Sequence, residues 1–273
     1  MSTIITSLRT DLVTANRWLR WSISSWFIVA VLGQWIFALY VLLFYGGVAL
    51  TGDLEGWNAA LENGIEPGKT MNNTAIAVHL LLAIIIHVGG PLQFIPQLRK
   101  RALNFHRWNG RVYAVVTFIT ALTGLFMIWE HRLGESAGSL AGMTLGAAII
   151  LAASLLAWRF AVKGDLGRHE RWAVRLFLAA SGVWFFRIIL MGWFLINGGP
   201  VGVDTETMTG PFMTFIYFGH YLLPLAIYEL YLFARKQNSP TGRYAMAGLL
   251  FASTVFTVLG VFAATVGMWL PML

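Results

Sequence analysis

The sequence predicts an all-α, polytopic membrane protein, a seven-transmembrane-helix bundle with its N-terminus in the cytoplasm and its C-terminus outside. Three observations predict it. Of the 273 residues, 58% are hydrophobic and only 11% charged. Seven apolar stretches recur, at 26–50, 74–95, 112–129, 139–162, 173–196, 211–233 and 244–270, each close to the ~20 residues that cross hydrocarbon at ~1.5 Å per residue. Sixteen of the 19 Lys and Arg residues fall before the first stretch or in alternate connectors, and the positive-inside rule assigns those connectors to the cytoplasm.

Taken in order, residues 1–21 are polar with spaced arginines, and 26–50 is too long for a signal-peptide core, so it reads as a retained helix. The longest polar segment, 51–73, reads as an external loop carrying Asp53, Glu55, Glu62 and Glu66. Connector two–three holds Arg99, Lys100, Arg101, Arg107 and Arg111; connector four–five holds Arg159, Lys163, Arg168, Arg171 and Arg175. Stretch 112–129 is the shortest, and 244–270 contains no His, Asp or Glu. No segment is left for a soluble catalytic domain, so residues 1–273 form a single integral-membrane domain.

Composition excludes whole classes of chemistry. With no cysteine there is no disulfide, thiolate nucleophile or Cys-ligated metal. The formal charge of +7 sits at helix ends, where anionic lipid headgroups are the partner and nucleic acid is not.

An ionisable group at bilayer depth costs about 2.5–3.5 kcal/mol to insert and asks for a partner or a role. His79 and His87 on the second stretch, Arg187 on the fifth, and His220 and Glu229 on the sixth are such groups. Helical rise puts His79, His220 and Arg187 about 10–16 Å below the outer surface, in one layer. Ala83, Gly90, Gln93 and Gln97 lie within about 40° of His79 around the helix, a stripe of small and polar side chains that faces protein. His87 points broadly inward, and Glu229 reads as a separate inner-leaflet group. Two imidazoles at one depth, with glycine nearby and an arginine for a propionate, are what haem b requires. His79 and His220 would be its axial ligands. The same residues also fit hydrogen bonds across helices, with Arg187 snorkelling.

The third and fifth helices begin alike, with His106-Arg107-Trp108 and then Arg111, and with His169-Glu170-Arg171-Trp172 and then Arg175. Cations at a helix N-terminus oppose the macrodipole unless an anion compensates. His106, Arg107, His169 and Arg171 are therefore expected to converge on one cytoplasmic pocket for an anion or a metal. An aromatic belt with topology-setting arginines accounts for the Trp and Arg residues equally well.

The runs 87–94 (HVGGPLQF), Leu98-Arg99, His106-Arg107-Trp108-Asn109-Gly110-Arg111-Val112-Tyr113 and His169-Glu170-Arg171-Trp172, with Arg187, resemble an uncharacterised family of bacterial multi-pass membrane proteins. That family is a domain of unknown function with an HRWxGRxY signature and a second HRRW-like turn. The resemblance implies a helical bundle in the bacterial inner membrane and brings no activity with it. Glu170 stands where the second turn of that family often has a basic residue.

Three functions compete. One is a redox or electron-transfer protein holding haem b or a quinone. Another is a non-enzymatic accessory subunit or a small-solute or proton carrier, working with a membrane protein partner or as a homo-oligomer. The last is a zinc-dependent membrane hydrolase, which the histidine-free seventh stretch disfavours. No residue pattern specifies an enzymatic reaction.

Overall fold

The computed structural model describes residues 2–61, 64–131, 136–237 and 239–273, with the side chains of 2–10 and of His131 outside the description. Arg9, Glu62, Arg132 and Glu135, which enter the expected topology, fall outside it too. The described residues form nine α-helices: α1 (Ser2–Thr51), α2 (Thr70–Leu92), α3 (Pro96–Arg101), α4 (Leu103–His131), α5 (Ala137–Val162), α6 (Leu166–Ala180), α7 (Gly182–Asn197), α8 (Pro211–Lys236) and α9 (Pro240–Ala264). A π turn, Thr265–Trp269, and a 3-10 turn, Leu270–Met272, end the chain.

The polar leader is no separate segment. Neither Gly nor Pro interrupts residues 2–32, so α1 runs unbroken for 50 residues, about 75 Å at helical rise against a hydrocarbon layer of ~30 Å. Leu19, in its first half, packs with Ala234 of α8 and Met246, Ala247 and Leu250 of α9. The two basic turns are likewise helical: α4 starts at Leu103, and α6 starts at Leu166 behind Asp165, whose side chain accepts from the Arg168 amide at 3.0 Å, an N-cap.

Two expected spans differ from expectation. The stretch 173–196 breaks at Ser181-Gly182, and the axes of α6 and α7 diverge by 53°. A Gly/Ser pair is a known cause of such kinks. The Ser181 hydroxyl donates to the Phe177 carbonyl at 2.8 Å and accepts from Gln34 of α1 at 3.2 Å, which ties the bend to the bundle. The second is α8, which has 26 residues but is diluted by Tyr217, His220, Tyr221, Pro224, Tyr228 and Glu229. Among the described residues five helices are long and apolar enough to cross a membrane, namely α1, α2, α4, α5 and α9 with its terminal turns, or six with the bent pair counted as one span.

α1 packs on α9 and α2, α2 on α4, α4 on α5, and α5 on α6 and α8, while α7 packs on α9 and α8. The α7–α9 crossing is close because both helices present glycine there: a Cβ on Gly192 would lie 3.3 Å from the Gly260 Cα. Such small-residue crossings let backbones approach where lipid supplies no hydrophobic drive. The largest core cluster is aromatic, with Phe37, Tyr40, Phe44 and Tyr45 of α1 against Trp57, Trp184, Phe185 and Trp269. Arg243 of α9 reaches back to donate to the Arg235 and Gln237 carbonyls at 3.3 and 3.0 Å, satisfying the end of α8 with a cation where the helix dipole favours one.

At the end opposite the basic connectors, Trp57 donates to the Tyr45 carbonyl at 2.9 Å. In the 198–210 loop, Asp204 accepts from the amides of Glu206 and Thr207 at 2.9 and 3.2 Å. Those amide bonds hold its carboxyl below its ordinary value.

Candidate functional site

His79 and His220 make their hydrogen bonds to different partners. His79 of α2 faces α4: its Nδ1 lies 3.2 Å from the Thr123 hydroxyl, which itself donates to the Thr120 carbonyl. His220 of α8 instead packs into the α6–α7 bend, where a Cβ on Gly182 would stand 2.9 Å from its Cδ2, and its Nδ1 donates to the Ile216 carbonyl at 2.8 Å. The Ile216 carbonyl can only accept, so the His220 ring carries a proton on Nδ1. α2 packs mainly on α1 and α4, and α8 on α5, α6, α7 and α9. Among the described residues no three His, Asp or Glu side chains gather as a metal site.

At the basic end, the two runs with the GG and HRWNGR motifs interlock. Asn109 of α4 donates to the Gly89 carbonyl at 2.8 Å. With its amide oriented to satisfy both ends, Gln93 donates to the His106 carbonyl and Nδ1 at 3.2 and 3.0 Å and accepts from the Gly110 amide at 3.0 Å and from Asn109. Gly90 makes the approach possible, since a Cβ there would stand 2.8 Å from the buried Tyr113 ring. His106 lies in the field of Arg99, Arg107 and His169, while His169 ties α6 to α5 through the Ala157 carbonyl at 3.0 Å. Arg171 lines the wall of the cleft described next.

That cleft, 1510 Å³ in volume, is lined by residues of α1, α6, α7, α8 and α9 and of the segment 94–97. It follows α8 from Phe212 to Lys236, about 36 Å at helical rise. Its far end holds Trp193 stacked on Phe212 with ring centroids 4.5 Å apart, and its middle is walled by Trp26, Phe27, Phe177, Phe185 and Phe256. The near end carries Arg171, Arg235 and Lys236 against Glu170. Beside it Arg175 grips Glu229 in two parallel bonds, Nε to Oε1 at 2.8 Å and Nη2 to Oε2 at 3.0 Å, and lies over the Trp172 and Tyr228 rings at 4.9 and 5.6 Å. Glu229 is therefore half of a clamp between α6 and α8.

Arg187 is on neither feature. It projects from α7 over Phe37 of α1, with the guanidinium carbon 5.3 Å from the ring centroid, and donates to the Val183 carbonyl at 3.1 Å. His87 meets the same Phe37 ring at 5.0 Å. Its Nδ1 bonds the Ala83 carbonyl at 2.8 Å, and its buried Nε2 has no partner. Tyr40, Tyr45 and His87 all lie within Coulombic reach of Arg187. Sequence reading missed the tyrosines of α1, because aromatic residues in an apolar span carry no mark of what they face.

Several apolar helices with charged groups paired or sheltered between them define a multi-pass membrane protein. The chain belongs to the DUF2306 family of predicted membrane proteins, whose model matches residues 76–225, more than half of its length. No curated protein matches it, and no solved structure does. The matched segment takes in the α2–α4 interlock, the α6–α7 bend, Arg187 and most of α8, and leaves out α1 and α9.

Proposed function

We propose that this is a seven-span protein of the bacterial inner membrane, with its basic end in the cytoplasm, that takes an anionic lipid from the inner leaflet into the α8 cleft. It would act as a lipid carrier or lipid-dependent accessory subunit. The observation that carries the reading is the polarity of the cleft along its length. Three cations stand at the end expected at the headgroup level, and the rest is an aromatic and aliphatic trench. Its 1510 Å³ exceed the roughly 300–1,000 Å³ of sites for drug-sized ligands, so the occupant is long as well as amphipathic.

Lipid extraction and native mass spectrometry of detergent-purified protein test this. After exchange against vesicles of equal phosphatidylglycerol and phosphatidylcholine, the wild type should retain phosphatidylglycerol. The variant Arg171→Gln/Arg235→Gln/Lys236→Gln should lose about 100-fold in retention, since each cation near an anionic headgroup contributes about 1 kcal/mol. Equal retention of the two lipids by the wild type overturns the reading. A neutral quinone held equally by both proteins would replace the lipid with a quinone.

The redox reading rests on the imidazoles of His79 and His220. An absorption spectrum checks it: a haem on these residues gives a Soret band that His79→Ala and His220→Ala each abolish. Colourless protein from haem-replete cells removes it.

A further inference from the structure

We infer that Arg187 is the core of a second ligand site, one that binds the carboxylate of a small monovalent organic acid between α1, α2, α7 and the C-terminal π turn. A guanidinium presents five N–H donors in a planar fork. Here one hydrogen bond is made, to the Val183 carbonyl, and among the described residues no carboxylate pairs with it. Arg187 is eleven residues from the left-handed Gly198 that ends α7, about 16 Å at helical rise. At that depth an arginine is a functional group by default and should have a counter-charge.

The surroundings point the same way. Around Phe37 stand three polar groups short of partners: the Arg187 fork, the His87 Nε2 and the Trp269 indole N–H. His87 and Trp269 are each 1% exposed, and a buried polar atom left unpaired costs about 1–3 kcal/mol. Tyr40, stacked on Trp269 at 6.1 Å, and Tyr45 add hydroxyls within reach of the guanidinium charge. Arg187 itself is only partly buried by its neighbours. One negative charge neutralises the one cation. A planar carboxylate matches the fork in two parallel bonds, which a spherical halide cannot do. Arg187 does not line the α8 cleft, so this site stands or falls independently of the lipid reading.

Thermal unfolding of the detergent-purified full chain, in sodium formate or acetate against sodium chloride at equal ionic strength, tests the proposal. The wild type should show a saturable rise in Tm of a few degrees with the carboxylates. Arg187→Gln should abolish it, and Arg187→Lys, which keeps the charge but not the fork, should weaken binding about tenfold. The variant Tyr40→Phe/Tyr45→Phe retains the aromatic packing, so it gives a reading even if Arg187→Gln does not fold, and its apparent Kd should rise several-fold. The proposal fails if the wild type shows no saturable shift, if chloride produces the same shift, or if Arg187→Gln responds like the wild type.

Discussion

Glu229 shows how far a single residue's role depends on its neighbour across the bundle. Its depth suggests an isolated inner-leaflet carboxylate, yet it is bound on two oxygens by Arg175, which lies 54 positions earlier. Sequence spacing cannot reveal that pairing, because Arg175 reads equally well as one more topology-setting cation. Hydrogen bonds to charged groups contribute about 1.5–3 kcal/mol, and the half-exposed Glu229 side chain discounts that figure. Glu229→Ala should therefore destabilise by about 1–2 kcal/mol, a fall in Tm of about 4 °C for a chain of this size. Glu229→Gln, which can still accept one bond, should recover about half. A Glu229→Ala protein that melts with the wild type would show that the clamp contributes nothing. The histidines teach the same lesson differently: their presence at depth was legible, but the groups they face depend on rotation about α2 and α8, which no pattern in one chain specifies.

At the scale of elements, the interlock between α2 and α4 explains why the glycines and the HRWNGR run go together. Gly90 is without a side chain because Tyr113 and Phe177 occupy the space, at 2.8 and 3.2 Å from where its Cβ would be. Gln93 then reaches His106 and Gly110 from the next turn. Gly90→Ala should separate the helices and cost about 1–3 kcal/mol, the usual range for overpacking. Gly248→Ala is the control, since nothing lies within 4 Å of a Cβ there, and an exposed helical Gly→Ala should stabilise by about 0.5–1 kcal/mol. Paired melting curves measure both, and equal shifts would mean that the close approach is not what requires glycine. The apolar helices were legible as elements because their hydropathy is high over a full span. The α6–α7 bend was not, because Ser181 and Gly182 change the backbone direction without changing the apolar character of 173–196.

At the scale of the whole molecule, the open quantity is the number of crossings, and it turns on α6–α7 and α8. The basic residues cluster at one end of the bundle, and that asymmetry was plain in the sequence. Hydropathy alone, however, passes five helices, or six with the bent pair, and an even number of crossings returns the C-terminus to the side of the N-terminus. α8 decides the parity. Three of its polar side chains have partners within the protein, which lowers the cost of a crossing by a less apolar helix: Glu229 pairs with Arg175, Tyr221 donates to the Gly142 carbonyl at 3.0 Å, and His220 donates to Ile216. A helix of 26 residues reaches about 39 Å, enough for the ~30 Å of hydrocarbon. A reporter fused after Leu273 should therefore be external, one placed between Lys163 and Gly167 cytoplasmic, and one in the 198–210 loop external. An external loop with a cytoplasmic C-terminus would show that α8 does not cross. A cytoplasmic loop would make α6–α7 a re-entrant hairpin, and the depth assigned to Arg187 would fall with it.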